Sequence, residues 1–271
     1  MSQKFGATHL EETFREHQKQ GRTTLIGYLT VGQRSVETTL ACAQALLAAG
    51  CDVLELGVPF SDAAADGPVI AQASFEATTT GGSLRAALHV LRKLRETRSE
   101  PVVLFTYYNP LVAVSEVEAV RNLAAVGGDG LLVVDLPPDE GAELRAAASE
   151  AGLAVIPLVA PTSGEAREAS LIQGARGFVY FVSVTGVTGS GSAPLAEAGR
   201  HAAQLKERYG LPVVVGFGID SPEKARLAAS SGASGVVVGT AIVRAIAQAA
   251  PGQEPEAVAS LVRSLRAGLD G

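Results

Sequence analysis

Eight short runs rich in β-branched residues, each followed by a segment of helical period, predict an α/β fold of the (β/α)8 TIM-barrel class with parallel strands. Eight such units in about 250 residues fill a closed barrel, whereas an open doubly wound sheet usually stops at five or six strands. No Ser/Gly/Pro-rich linker or break in composition divides the chain, so residues 1–271 are expected to form a single TIM-barrel domain.

The elements follow in chain order. An extra N-terminal helix is expected over 8–19, and the first strand is TLIGYLT (24–30), followed by a helix over Val36–Ala48. CDVLELG (51–57) leads into a helical stretch, Val69–Arg98, that Gly81 and Gly82 divide into two pieces. PVVLFTY (101–107) precedes a helix over Glu116–Val126, and GLLVVDL (130–136) precedes one over Glu140–Glu150. The last four strands are LAVIPLV (153–159), GFVYFVS (177–183), PVVVGFG (212–218) and SGVVVGT (234–240). Their helices are expected over Gly164–Gln173, Leu195–Tyr209, Pro222–Ser230 and Ala241–Ala249, and a C-terminal amphipathic helix over 255–268 ends the chain.

Composition excludes several function classes. With 28 acidic against 22 basic residues and a net charge of −6, no basic face is present to release counterions from a nucleic acid. The first 22 residues are polar where a signal peptide would be apolar, and no apolar run approaches the roughly eighteen residues of a membrane span. A cytoplasmic enzyme without nucleic-acid or membrane partners is therefore expected. Cys42 and Cys51 lie nine apart with no CxxC and read as small buried thiols. His9, His17, His89 and His201 have no metal-ligand spacing, so no metal site is expected. Neither a GxGxxG opening the first unit nor a Walker loop is present, which weighs against dinucleotides and nucleoside triphosphates.

In this fold the chemistry lies where strands end and βα loops begin. Carboxylates at such points are Glu55, Asp62, Asp66, Asp135 and Asp220, and the tyrosines Tyr28, Tyr107, Tyr108 and Tyr180 also fall on or just after strands. All five lysines, Lys4, Lys19, Lys93, Lys206 and Lys224, read as helix or tail positions, which disfavours imine chemistry. No His or Cys ends a strand, so proton transfer by carboxylates remains. Glu55 is the strongest candidate, because a carboxylate inside an apolar strand is costly unless paired or kept for a task, and burial would raise its pKa toward that of a useful base. Asp66, in the loop GVPFSDAAADGP, reads equally well as a turn residue or a functional one. Gly218 and Gly239 stand at the seventh and eighth strand ends, the usual phosphate cradle of this fold, and Thr240 begins a helix whose positive end suits an anion.

The run ELGVPFSDAAADGPVI (55–70) resembles the signature of the tryptophan synthase alpha subunit family, a strand ending in E-L-G-V-P-F-S-D, two further residues, and A-D-G-P. FTYYNPL (105–111), GLLVVDLPPDE (130–140), LVAPTS (158–163), GFVYFVSVTGVTG (177–189), VGFGI (215–219) and GVVVGTAIV (235–243) are similar to that family's segments, in order, across residues 8–268. The resemblance implies retro-aldol cleavage of indole-3-glycerol phosphate to indole and glyceraldehyde 3-phosphate, with no cofactor in this subunit and a beta subunit as partner in an alpha2-beta2 complex. It makes Glu55 the acid/base and Asp66 the carboxylate that supports charge at the indole nitrogen. Tyr180 then stands near the catalytic Glu, while Tyr107 and Asn109 line the site and the subunit contact. Gly189, Gly218, Gly239 and Thr240 become the phosphate binders, and Thr188 meets the catalytic carboxylates from a loop, Gly186–Gly189, that closes over substrate.

Three departures from the family pattern stand out: Ala63-Ala64 where the loop usually carries Pro and a bulky apolar residue, Gln33-Arg34 where Asp-Pro is usual, and Thr240 for the commoner Ser. The first bears on coupling to a beta subunit, so a stand-alone lyase releasing free indole is an alternative, as is a weakly active barrel serving mainly to bind a partner. Another phosphate-binding barrel, an isomerase or decarboxylase, fits the fold but not the lysine distribution.

Overall fold

The β-branched runs form one wholly parallel sheet of nine segments: β1 Thr24–Thr30, β2 Val53–Gly57, β3 Val102–Thr106, β4 Gly130–Val133, β5 Ala154–Val155, β6 Leu158–Val159, β7 Val179–Val182, β8 Val213–Gly216 and β9 Gly235–Val238. The structure is a computed structural model and describes residues 5–137, 140–182, 193–216 and 218–271. The segments run in the order β5-β4-β3-β2-β1-β9-β8-β7-β6. β5 and β6 are halves of the single predicted fifth strand. Ile156 donates its N–H to Leu131 on one side (2.9 Å), and the Pro157 carbonyl accepts from Tyr180 on the other (2.9 Å). The strand thus turns from β4 to β7 at Pro157, which has no N–H of its own to give, and closes the eight-stranded barrel.

Twelve helices accompany the strands among the described residues: α1 Ala7–Lys19, α2 Val36–Ala48, α3 Pro68–Thr79, α4 Leu84–Leu94, α5 Asn109–Val112, α6 Glu116–Ala125, α7 Ala142–Glu150, α8 Glu165–Ile172, α9 Ala193–Tyr209, α10 Pro222–Ser230, α11 Thr240–Gln248 and α12 Glu254–Asp270. Caps written in the sequence set several starts. Ser35, Ser83 and Ser221 accept from the N–H groups of Thr38, Ala86 and Lys224, satisfying donors that the first helical turn leaves free. The four-residue α5 is the one helix the helical-period reading does not contain. No helix among the described residues is long and apolar enough to cross a membrane.

Two apolar shells hold the fold. The larger fills the space between strands and helices and includes both cysteines, which are buried and unbridged. The smaller lies inside the barrel, where Ile26, Val53, Val103, Leu132, Ile156, Phe178, Val214 and Val237 make one inward layer contributed by all eight strands. Helix α1 plugs the lower end of that layer with Leu10 and Phe14, the latter against Phe178 at a ring separation of 5.3 Å. Asp129, fully buried at the start of β4, ties the plug on: its carboxylate accepts from the N–H of Gly6 and meets His9 Nδ1, both at 2.8 Å. The same carboxylate accepts from Arg95 and from the Val102 N–H, also at 2.8 Å each.

Candidate active site

Side chains along a strand alternate between its two faces, so the positions two residues beyond the inward layer form the next one up. They are Tyr28, Glu55, Phe105, Val134, Leu158, Tyr180, Gly216 and Gly239, and a further step of two brings in Gly57, Tyr107 and Gly218. The strand ladder puts Tyr28 directly beside Glu55 and Glu55 beside Val103. Apolar packing therefore ends below Glu55, and a mixed polar and aromatic layer begins with it.

Glu55 has no solvent exposure, and neither of its carboxylate oxygens has a hydrogen-bond partner among the described residues. Burial alone pushes its pKa up to about 8, since nothing nearby compensates the charged form. A structural glutamate at such a depth would be paired with a cation or fully hydrogen-bonded, and this one is neither. At neutral pH the unliganded site holds its proton.

Asp66 approaches from the loop after β2. That loop is fastened at Phe60, whose N–H donates to Ser74 Oγ (2.8 Å) while Ser74 Oγ donates back to the Phe60 carbonyl (3.0 Å). Tyr107 takes the Ala65 N–H on its hydroxyl oxygen (3.0 Å) and donates to Asp66 Oδ2 (3.1 Å), which aims the carboxylate. Burial raises the Asp66 pKa to about 6, and the Tyr107 hydrogen bond opposes that rise by favouring the charged form. The charges of Glu55 and Asp66 both act on the Tyr28 and Tyr180 hydroxyls, whose pKa values rise, first through burial. Four candidate groups from β1, β2, β7 and the loop after β2 are thus brought into one electrostatic neighbourhood.

The other strand-end carboxylates have different surroundings. Asp62 is exposed; Asp135 accepts the Tyr108 N–H at 2.7 Å; Asp220 pairs with Lys224 at 2.8 Å. On the far side of the barrel mouth Gly218 is exposed with φ +70° and open space where a side chain would be. Gly239 is the residue before α11, and Thr240 begins that helix, whose first-turn N–H groups have no acceptor within it. The sequence candidates Thr188 and Gly189, with the rest of the loop expected to close over substrate, lie outside the described residues. A separate cavity of about 620 Å³ lies between α7 and α8; Asp135 lines it, whereas Glu55, Asp66, Tyr107, Tyr180, Gly218 and Gly239 do not.

The sequence model of the family described as "Tryptophan synthase alpha chain" matches residues 14–267. The chain belongs to the tryptophan synthase alpha chain family. It is 42% identical to the tryptophan synthase alpha chain of Geobacter sulfurreducens over 254 residues, covering 94% of this chain and 96% of that protein. The alpha chain from Azoarcus sp. is 41% identical over 262 residues, 96% of each. Among solved structures, the tryptophan synthase alpha subunit of Legionella pneumophila superimposes with a TM-score of 0.89 at 32% identity, covering 97% of this chain and 98% of that one.

Within this alpha-chain barrel, sequence reasoning left Tyr28 without a role. It lies beside Glu55 in the ladder, packs edge-on against Phe105 at 5.2 Å, and accepts from Thr30 Oγ1 at 3.3 Å. Its place depends on a glycine on the neighbouring strand, because a Cβ on Gly57 would collide with the Tyr28 hydroxyl. Gly216 makes the same room for Tyr180. The available signal was the step of two itself: Gly57 is two beyond Glu55, and Gly216 is two beyond the inward Val214.

Proposed function

We propose that this member of the tryptophan synthase alpha chain family carries out the alpha reaction, carbon–carbon cleavage of indole-3-glycerol phosphate in tryptophan biosynthesis, by proton transfer at Glu55. The observation that carries this reading is the unpaired, fully buried Glu55 with a pKa near 8, one layer above a closed apolar core. The chemistry needs one proton moved. Carbon 3 of the indole ring gains a proton, leaving a cationic nitrogen; the hydroxyl on the adjacent glycerol carbon loses one. The carbon–carbon bond then breaks with its electron pair returning to the ring, giving indole and the aldehyde. A carboxyl group that holds its proton at neutral pH and can take another back serves both transfers. Asp66, ionised above about pH 6, faces the cationic nitrogen, and Tyr107 keeps it aimed. Tyr180, on whose hydroxyl the Glu55 charge acts, serves beside that carboxyl, and Thr188 meets the carboxylates. Gly189, Gly218, Gly239 and Thr240 hold the phosphate, supported by the free N–H groups at the start of α11. All of these roles fall within one domain and require no cofactor.

The partner proposed is a tryptophan synthase beta subunit in an alpha2-beta2 complex in the cytoplasm. Val112 and Val114, after the third strand and next to Asn109, are 49% and 44% exposed, which gives the barrel mouth an apolar rim suited to such a contact. Ala63 is buried and Ala64 exposed in the loop that carries Asp66, so at those two positions the loop offers the partner no bulky apolar side chain. This favours a second reading, a lyase that works alone. The deciding experiment is indole release from indole-3-glycerol phosphate by the purified chain, without and with a beta subunit of the same source. A low rate that rises strongly with the partner supports the subunit reading; a high, partner-independent rate supports the lyase; no indole in either condition overturns both.

The two carboxyls also predict a bell-shaped pH dependence, rising near pH 6 as Asp66 ionises and falling near pH 8 as Glu55 loses its proton. In Tyr107→Phe the hydrogen bond that lowers the Asp66 pKa is lost. The rising limb of kcat/KM against pH then moves to higher pH while the falling limb stays. A rising limb that does not move would remove Asp66 from that ionisation.

A further inference from the structure

The loop between β1 and α2 contains the Gln33-Arg34 departure, and both side chains reach across to α11. Gln33, buried, donates from Nε2 to the Val243 carbonyl at 2.8 Å. Arg34, exposed, donates from Nη2 to the carbonyls of Ala247 (2.7 Å) and Ala249 (3.4 Å), where α11 ends and its carbonyls lack intrahelical partners. One cation thus caps the negative end of the helix dipole while the neighbouring amide holds the fourth residue of the same helix.

The loop is itself anchored. Gly32 N–H donates to Thr39 Oγ1 on α2 at 2.9 Å, and Ser35 N–H turns back to the Gln33 carbonyl at 2.9 Å. Arg34 has φ +67°, a left-handed conformation that costs an L residue energy and that proline, fixed near −65°, does not adopt. A strained backbone persists where its surroundings over-determine it, and here the two carbonyl contacts of the side chain do so. The Val243 side chain is buried with Tyr28 and Ala73, so the first turn of α11 is held at its backbone by Gln33 and at its side chain by the layer that contains Glu55.

We propose that Gln33 and Arg34 are positioning residues for the substrate's phosphate group, latching α11 so that its first-turn N–H groups stay aligned at the barrel mouth. The inference rests on the phosphate site of the proposed function and names what fixes it in this chain. Neither side chain touches substrate. Their effect is carried by the place of one helix, and it falls on binding more than on chemistry.

The test measures KM and kcat for indole-3-glycerol phosphate, inhibition by inorganic phosphate, and thermal midpoint, in the unsubstituted chain and in Gln33→Met, Arg34→Met and Arg34→Lys. Gln33→Met removes the bond to Val243 and a buried amide oxygen, Oε1, that has no partner, so stability is expected to hold. Both Met variants are expected to raise KM and the phosphate inhibition constant by about two- to tenfold, the scale of one hydrogen bond, with kcat within about twofold. Arg34→Lys, which keeps a cation near the helix end, recovers part of the loss. Inhibition by phosphate in the unsubstituted chain that is unchanged in both Met variants overturns the latch alone, as does a lowered midpoint with unchanged KM. No inhibition in the unsubstituted chain overturns the phosphate site on which the latch acts.

Discussion

Glu55→Gln is expected to lower indole formation by at least about 10²-fold while making the protein more stable above neutral pH. The two effects have one cause. The carboxyl has a folded-state pKa of about 8 against an ordinary value of 4.5, so folding favours its protonated form. A carboxyl whose pKa is raised by folding contributes fully below about pH 4.5, and that contribution is lost as pH rises through about 8. Above that pH the buried site must either ionise without a partner or keep a proton from a basic solution. Glutamine has the same shape and never ionises. The stability difference between variant and parent should therefore be small at pH 5, widen steadily, and reach a few kcal/mol by pH 9. Chemical denaturation across that range, with rates measured on the same samples, checks both halves. A variant that keeps most activity, or a stability difference that does not change with pH, would show that Glu55 is not the isolated buried acid described here.

Asp129→Ala is expected to give the largest loss of stability of any single change. Its carboxylate oxygens take four contacts at 2.8 Å, from Gly6, His9, Arg95 and Val102. The Arg95 side chain is only 8% exposed, donates to the carbonyls of Gly127 and Glu100, and lies 4.2 Å over the Phe5 ring. Removing the acid leaves that guanidinium buried without its counter-charge and leaves two backbone N–H groups unsatisfied. A broken buried pair of this kind costs about 3–5 kcal/mol, which for a chain of this size corresponds to a fall in Tm of roughly 10 °C. Loss of the plug should also show as faster proteolysis before residue 24. A shift of less than about 2 °C would mean that the cluster is dispensable.

The elements most legible in the sequence are those whose ends carry their own chemistry. Strand β1 and helices α2 and α10 begin and end where the pattern places them, because Ser35 and Ser221 cap the helices and apolar residues fill the strand. Helix α5 was not legible, since four residues starting Asn-Pro contain barely one turn and no period. The division of the fifth strand was equally hidden: Pro157 sits in an unbroken apolar run, and only the pairing on both sides shows the change of neighbour. In the site, Glu55 was legible because a carboxylate flanked by apolar strand residues is too costly to bury without a task. Tyr28 was not, because a tyrosine in a strand is ordinary core until the glycine across the ladder is known. Nor does sequence spacing show that Asp66 and Glu55 act on the same tyrosines; the Ser74 and Tyr107 bonds set the loop that carries Asp66.

The turn of the fifth strand at Pro157 bears on how the protein avoids self-association. A barrel that breathes must part somewhere, and the shortest ladders in this one are at β5 and β6, with two paired positions each. Parting at either ladder would leave a curved sheet still joined through β1 and β9, one of whose two free margins is only two residues long and lies beside a proline. So short a margin presents too few consecutive amides and carbonyls to template the addition of another chain. The closure that is thinnest in hydrogen bonds is therefore also the one whose opening exposes the least adhesive edge.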